Sequence, residues 1–330
     1  MNPKPSATGD VARSQSKVIR VAAGVIRDDR GRILLGQRPA GKHLAGTWEF
    51  PGGKCDPQEK PADALVRELR EELGVRVGRV APLLALTHTY PELTVRLILH
   101  DVLDIDGHPH GCEGQALRWA TPTQMNSLEM PPADRPIVKA LSAGPHYAIT
   151  PDPAEVGGTD AALSWAAAAL DAGHRLLQLR AHSLNMAELT AMGHRLESLV
   201  RSQGGRWLLN GPAELAMELG ADGVHLTSRA LAQLVARPLP DDRLVIASCH
   251  DQDELARAGA IGADLVCVSP VRPTPSHPKA EPLGWSGLEA LSKHSPLPVF
   301  ALGGLAPEDL EVAREHGAFG VAGISAFASR

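Results

Sequence analysis

GKCDPQEKPADALVRELREELGV, residues 53–75, is the stretch that organises the N-terminal half of the chain. A glycine-rich approach runs into Ala62 to Leu73, which carries helical periodicity. Pro61 suits the first helical turn, where its missing N–H leaves no bond unmade. Gly74 suits the position just past the last turn. Leu65, Leu69 and Leu73 share one face and should anchor the helix to a core. Glu68, Glu71 and Glu72 stand at i, i+3 and i+4 on another face. Clustered carboxylates repel, and a hard divalent cation relieves the repulsion. Mg²⁺ takes a few carboxylates together with water and substrate phosphates, and Mn²⁺ is the alternative. Arg67 and Glu59 are spaced to pair and to orient those ligands. A solvated Glu/Arg helix is the ordinary reading of R-E-L-R-E-E-L alone. The glycines and Glu59 in register weigh against it.

Upstream, Val18–Ile26 is a β-branched run, and Asp28-Asp29-Arg30-Gly31 is a turn leading into Ile33-Leu34-Leu35. From Lys17 to about Leu103 the pattern is strand, strand, helix, strand, which makes a mixed α+β domain. Residues 1–16 read as a disordered tail, not a signal peptide. Downstream, Pro131, Pro132 and Pro136 precede a short helical end, and Ser142-Ala143-Gly144-Pro145 marks a domain boundary. The expected units are a first domain over 17–143 and a second over 146–330.

After His146 the grammar changes to alternation. Apolar runs occur at Tyr147–Thr150, Leu176–Arg180, Trp207–Asn210, Gly223–Leu226, Leu244–Ser248, Leu265–Ser269, Val299–Gly303 and Gly320–Ile324. Helical segments such as Ala161–Ala172, Met186–Val200 and Pro307–His316 lie between them. Eight strands alternating with helices predict a compact (β/α)8 barrel. A doubly wound open sheet is the competing topology, and the count of eight disfavours it. The expected fold class is therefore α/β in two domains.

A length of 330 residues suits two domains. The net charge of -5 and the lack of a Lys/Arg run argue against a nucleic-acid partner. Aromatics at 3% argue against a stacking platform for single strands. Cys55, Cys112, Cys249 and Cys267 form no C-x-x-C pair, so they signal neither zinc nor a redox couple. Free thiols fit a reducing cytoplasm, the expected location. No apolar stretch reaches the ~18 residues that span a bilayer, so no membrane partner is expected.

Residues 53–75 obey G-x5-E-x7-R-E-U-x-E-E-x-G-U throughout, where U is aliphatic. This is the full Nudix box. Over residues 18–141 the chain resembles the MutT-type 8-oxo-dGTP diphosphatases. Arg38, His43 and Trp48 through Lys54 match the approach to the helix; Glu113-Gly114-Gln115 with Trp119, and Pro131 through Pro136, match two later segments. The resemblance implies a Mg²⁺-dependent attack of water on phosphorus, giving a nucleoside monophosphate and pyrophosphate. It assigns catalysis to Glu59, Arg67, Glu68, Glu71, Glu72 and Glu113. It implies metal contacts at Gly52, Gly53, Glu68, Glu71, Glu72 and Glu113. Substrate contacts are implied at Arg38, His43, Glu49, Phe50, Pro51, Gly52, Lys54 and Asp134. Arg38 would offer a forked donor to phosphate. Asp134 stands where that family has an Asn reading the oxidised purine, and an ionised Asp can only accept. The alternative for Asp134 is a helix N-cap ahead of Ile137–Leu141.

Residues 147–327 resemble thiamine-phosphate synthase and its thiazole-tautomerase relatives. The matches include Gln178-Leu179-Arg180, Asn210-Gly211, Ala221 through Leu226 and Leu302 through Leu305. A phosphate site is implied at Gly303-Gly304 and Gly323-Ile324-Ser325, with Gln178, Arg180 and Asn210 at the same mouth. Yet Gly211 and Ala230 stand where that family has magnesium-binding carboxylates, and His277 stands where it has a lysine. The barrel is thus expected to lack synthase activity. Three roles stay open: a thiazole- or thiamine-phosphate binding module, altered chemistry through His182, His250 or His277, or a structural partner. For the whole chain, one reading is a nucleotide-pool sanitation enzyme serving DNA replication and repair. The other is a thiamine-linked protein whose first domain trims a thiamine diphosphate-like compound.

Overall fold

The computed structural model describes residues 18–274 and 281–328. The expected tail over 1–16 and the position of His277 lie outside the described residues. The first domain runs β1 (Val18–Ile26), β2 (Ile33–Gln37), β3 (Trp48–Glu49), β4 (Gly52–Lys54), α1 (Pro61–Leu73), β5 (Arg76–Val77), β6 (Val80–Thr89), β7 (Thr94–Val102), β8 (Ile105–Asp106), β9 (Leu117–Ala120), α2 (Pro122–Met125) and α3 (Arg135–Ala143). One sheet has the order β4-β1-β7-β6, with β1 and β7 parallel and the outer pairs antiparallel. A second, antiparallel sheet has the order β3-β2-β9.

The helix α1 forms where its sequence places it. Pro61 opens it, and Gly74, at φ 65°, closes it by donating its N–H to the Arg70 carbonyl. Its buried face is Ala64, Leu65, Leu69 and Leu73, packed with Ala22, Ile26, Leu34 and Val75. Each fully buried leucine contributes about 1.5–3 kcal/mol, so this face fixes the helix against β1 and β4. The domain is richer than strand, strand, helix, strand. β3 and β4 have two and three residues, too few for alternation to show.

The second domain is a closed barrel of eight parallel strands, which excludes the open sheet. They are β10 (His146–Ile149), β11 (Leu176–Leu179), β12 (Arg206–Leu209), β13 (Gly223–Leu226), β14 (Leu244–Cys249), β15 (Leu265–Val268), β16 (Val299–Leu302) and β17 (Gly320–Gly323). Closure is the β10–β17 pairing, with Tyr147 opposite Ala322. The helices between them are α4 (Pro153–Val156), α5 (Thr159–Asp171), α6 (Met186–Ser202), α7 (Ala213–Glu218), α8 (Ser228–Gln233), α9 (Gln252–Ala260), α10 (Gly284–Ser292) and α11 (Leu310–Glu315). The expected helix over 307–316 is instead a 3-10 turn, Pro307–Asp309, followed by α11.

The boundary is a packed joint. Leu83, Leu86, Leu99, Ile137 and Ala140 of the first domain share one apolar cluster with Tyr147, Leu176, Ile246 and Phe300 of the barrel. The Thr87 N–H donates to the Ser295 carbonyl at 3.0 Å, and Arg314 pairs with Asp101 at 3.3 Å. Among the described residues no helix is long and apolar enough to cross a membrane.

Candidate active site

The polar face of α1 is organised by Arg67. Its guanidinium holds both Glu59 oxygens, at 3.1 and 3.0 Å, and Glu68 at 2.8 Å. It reaches the more exposed Glu71 at 3.4 Å and the Lys54 carbonyl at 3.1 Å. These forked hydrogen bonds hold the Glu59 carboxyl below its ordinary range. Two glycines let β4 lie against this face. A Cβ on Gly53 would sit 2.3–2.5 Å from the Glu68 carboxylate. Gly52, at φ 147°, would drive a Cβ to 2.1 Å from the Ala22 carbonyl oxygen. Its N–H donates to Glu72 at 3.2 Å. Burial pushes the Glu72 carboxyl up to about 7; that N–H resists the shift, while Glu49, Glu68 and Glu113 reinforce it.

Glu113 approaches from the loop before β9. The Lys42 ammonium donates to it at 2.9 Å. Gln115 ties the loop to the helix end, its amide donating to the Glu72 carbonyl at 2.9 Å. Lys42, Glu49, Pro51, Glu72, Glu113 and Gln115 line one small cleft. Lys42 escaped sequence reasoning, because its partner lies 71 residues away.

Among the described residues, no three His, Cys, Asp or Glu side chains already converge as a metal-binding group. Arg67 and Lys42 hold the carboxylates instead. The donors are nonetheless all oxygen, carboxylate or backbone carbonyl, and the pKa of Glu72 is raised by burial and neighbouring negative charge. A hard divalent cation answers both conditions, so the residues fit Mg²⁺ or Mn²⁺.

Around Glu49, which lines the cleft, the structure alters three expectations. Asp134 is not a capping side chain: its backbone is already helical, at φ -85° and ψ -24°, and its carboxyl accepts no helix N–H. An N-cap needs extended backbone to reach back to the first turn. Asp134 is 6% exposed, and burial, reinforced by Glu49 and opposed by Arg38, drives its carboxyl well above the ordinary range. This favours the neutral acid, which offers one donor and one acceptor. Arg38 is not an open fork: it donates to Glu49 and, at 2.8 Å, to the His43 carbonyl. Phe50, at 3% exposure, packs in the apolar core. His43 and Lys54 are exposed, and the His43 ring stands edge-on to Tyr90 at 6.0 Å.

Inside the barrel, a chain of hydrogen bonds crosses the strands. Asn210 donates to Gln178 at 3.2 Å, and Gln178 donates to the Tyr147 hydroxyl at 3.1 Å. That hydroxyl meets His225 at 3.3 Å, and His225 meets Ser248 at 2.8 Å. Burial pushes the His225 ring down to about 3, so it stays neutral. Arg180 is forked onto Glu155 at 3.2–3.3 Å, and His250 bonds Glu254 at 2.9 Å. Gly303 and Gly304 accommodate the chain itself: a Cβ would lie 2.8 Å from the Pro270 Cα and 2.6 Å from the Pro273 carbonyl oxygen. Gly323 is covered by Phe327, and Ile324 leads into the 3-10 turn Ser325–Phe327. Sequence reasoning missed Tyr147 and Glu155, which hold Gln178 and Arg180 in place.

A sequence model of the NUDIX domain matches residues 22–140, and one of thiamine monophosphate synthase matches residues 146–327. A CTP pyrophosphohydrolase of Escherichia coli is 45% identical over 130 residues, 38% of this chain and 93% of that protein. The 8-oxo-dGTP diphosphatase of the same organism is 34% identical over 125 residues, 38% of this chain and 97% of that protein. A thiamine-phosphate synthase of Thermosynechococcus vestitus is 35% identical over 169 residues, 51% of this chain and 48% of that protein. The chain therefore belongs to two families at once, to the Nudix pyrophosphohydrolases through its first domain and to the thiamine monophosphate synthase family through its barrel.

Proposed function

We propose that the first domain hydrolyses 8-oxo-dGTP to 8-oxo-dGMP and pyrophosphate, removing an oxidised nucleotide ahead of DNA synthesis. The observation that carries this reading is the buried Asp134 carboxyl. A neutral acid presents a donor beside an acceptor. Oxidised guanine presents N7–H beside O6 and matches it. Ordinary guanine presents two acceptors, N7 and O6, and does not. Cytosine sets its N4 donor beside the N3 acceptor, so CTP is the second reading, and the 45% identical CTP pyrophosphohydrolase favours it.

A bound Mg²⁺ supplies Lewis-acid stabilisation of the phosphate oxygens and a more acidic water. Arg67 fixes the orientation of Glu59 and Glu68. Glu72 and Glu113 share the task of holding the proton lost by the attacking water, as a coupled group and not as one assigned base. Lys42, beside Glu113, adds positive charge for the phosphates. For the barrel we propose retained binding of thiazole phosphate or thiamine phosphate without synthesis, since neither Gly211 nor Ala230 can ligate a hard cation through a side chain.

The test is pyrophosphate or phosphate release by the full chain with Mg²⁺, from 8-oxo-dGTP, dGTP, CTP and thiamine diphosphate. The full chain is used because the domains share packing. The highest kcat/KM should fall on 8-oxo-dGTP. Fastest cleavage of thiamine diphosphate would overturn the nucleotide reading in favour of a thiamine-linked one.

A further inference from the structure

Where the domains meet, a cleft of about 210 Å³ opens between the β6–β7 hairpin and the ends of α10 and α11. None of its lining residues belongs to β4, α1 or the Glu113 loop. Leu83, Leu84, Ile98 and Leu99 give it apolar walls, and three cations line it as well: Arg96, Lys293 and Arg314.

Arg96 donates to the Lys293 carbonyl but forms no ion pair among the described residues. Its partner across the β1–β7 ladder is Arg20, another cation. Burial together with Arg20 pushes the Arg96 guanidinium down from its ordinary range. Arg314 pairs with Asp101, but Arg27 shares that carboxylate. The carboxylates that line the cleft, Glu289 and Glu315, stand on its exposed rim. Of the lining cations, Arg96 and Lys293 form no ion pair among the described residues. His100, also in the lining, is a second and independent sign. It is 7% exposed, and its Nδ1 is buried without a hydrogen-bond partner. In the tautomer with its proton on Nδ1, the ring would donate to a ligand oxygen.

We propose that this junction cleft binds a small phosphate-bearing anion through Arg96, Lys293, Arg314 and His100. Donors on separate elements suit a tetrahedral anion with several oxygens. A planar carboxylate is satisfied by one forked guanidinium. Each domain supplies one wall, so the occupant holds the two together and stabilises the docked form by mass action. Ligand pockets concentrate at such domain interfaces. The proposal does not rest on the nucleotide specificity of the first domain.

The test is calorimetric titration of the full chain in EDTA with inorganic phosphate, pyrophosphate and acetate, alongside thermal unfolding. Chelation keeps metal-dependent phosphate binding at α1 out of the signal. Phosphate or pyrophosphate should bind and raise Tm, and acetate should do neither. Arg96→Gln should weaken binding about tenfold or more, and Lys293→Gln, at an exposed position that leaves folding intact, about threefold. Arg195→Gln, on the exposed face of α6 and outside both sites, should leave binding unchanged. The proposal is overturned by no binding to the wild type, by affinity unaltered in both Arg96→Gln and Lys293→Gln, or by acetate binding equally well.

Discussion

Asp134→Asn separates a neutral acid from an ionised one, and the two make opposite demands. The carboxyl is 6% exposed, and burial and Glu49 raise its pKa against the opposing pull of Arg38. An unfolded Asp titrates near ~3.9. Between that pH and the raised folded pKa, the unfolded chain binds fewer protons than the native one. Stability contributed by this group is therefore complete below the unfolded pKa and falls as pH rises through the window. The slope reaches about 1.4 kcal/mol per pH unit. Asn carries no such penalty. The substitution should raise Tm by at least ~2 °C at pH 8, with the gain vanishing near pH 4. Recognition follows the same proton. While Asp134 is neutral, the 8-oxo-dGTP over dGTP ratio of kcat/KM should lie within about twofold of the Asn variant's. Once it ionises, the wild-type ratio should fall about fivefold below it, the worth of one hydrogen bond near 1 kcal/mol. The assay is both ratios from pH 6 to 9, with thermal unfolding on the same samples. A Tm unchanged at pH 8, together with a fivefold gap that stays constant from pH 6 to 9, would refute the neutral acid.

Gly53→Ala places a Cβ 2.3–2.5 Å from the Glu68 carboxylate, which must then move. Hydrolysis should drop about 10²-fold while the fold survives by circular dichroism, and an unchanged rate would sink the account of that glycine. With Glu72 titrating at about 7, protons compete with the metal. The Mg²⁺ concentration for half-maximal rate should therefore rise toward ~10-fold per pH unit below 7 and level off above 8. A requirement flat from pH 5.5 to 8 would contradict this. In the barrel, the full chain given pyrimidine diphosphate and thiazole phosphate should form no thiamine phosphate, yet bind thiazole phosphate by calorimetry. Turnover in that assay would show that the lost carboxylates are not needed.

What the sequence made legible was local. Pro61, Gly74 and the leucine spacing of α1 all act within a few residues, so helix, caps and buried face could be read directly. The barrel strands were equally plain, because strands buried on both faces are continuous apolar runs. Interactions made across the chain were not legible. Lys42 with Glu113 and Tyr147 with His225 join distant positions that no spacing rule connects. Asp134 read as a helix N-cap or a base contact, and only its burial favours the neutral acid. Arg38 matched a motif as a free donor, yet Glu49, eleven residues on, occupies it. Composition marked a boundary at residues 142–145 but could not show that one apolar cluster packs across it, because those contacts join distant positions.

The central claim is that the carboxylate face of α1, brought together by Gly52, Gly53 and Arg67, performs the hydrolysis. Its most direct test is the steady-state rate of Glu72→Gln in the full chain with saturating 8-oxo-dGTP and Mg²⁺. A fall of at least ~10²-fold, with wild-type Tm retained, is the expected result. A variant keeping more than half the wild-type rate would contradict the claim.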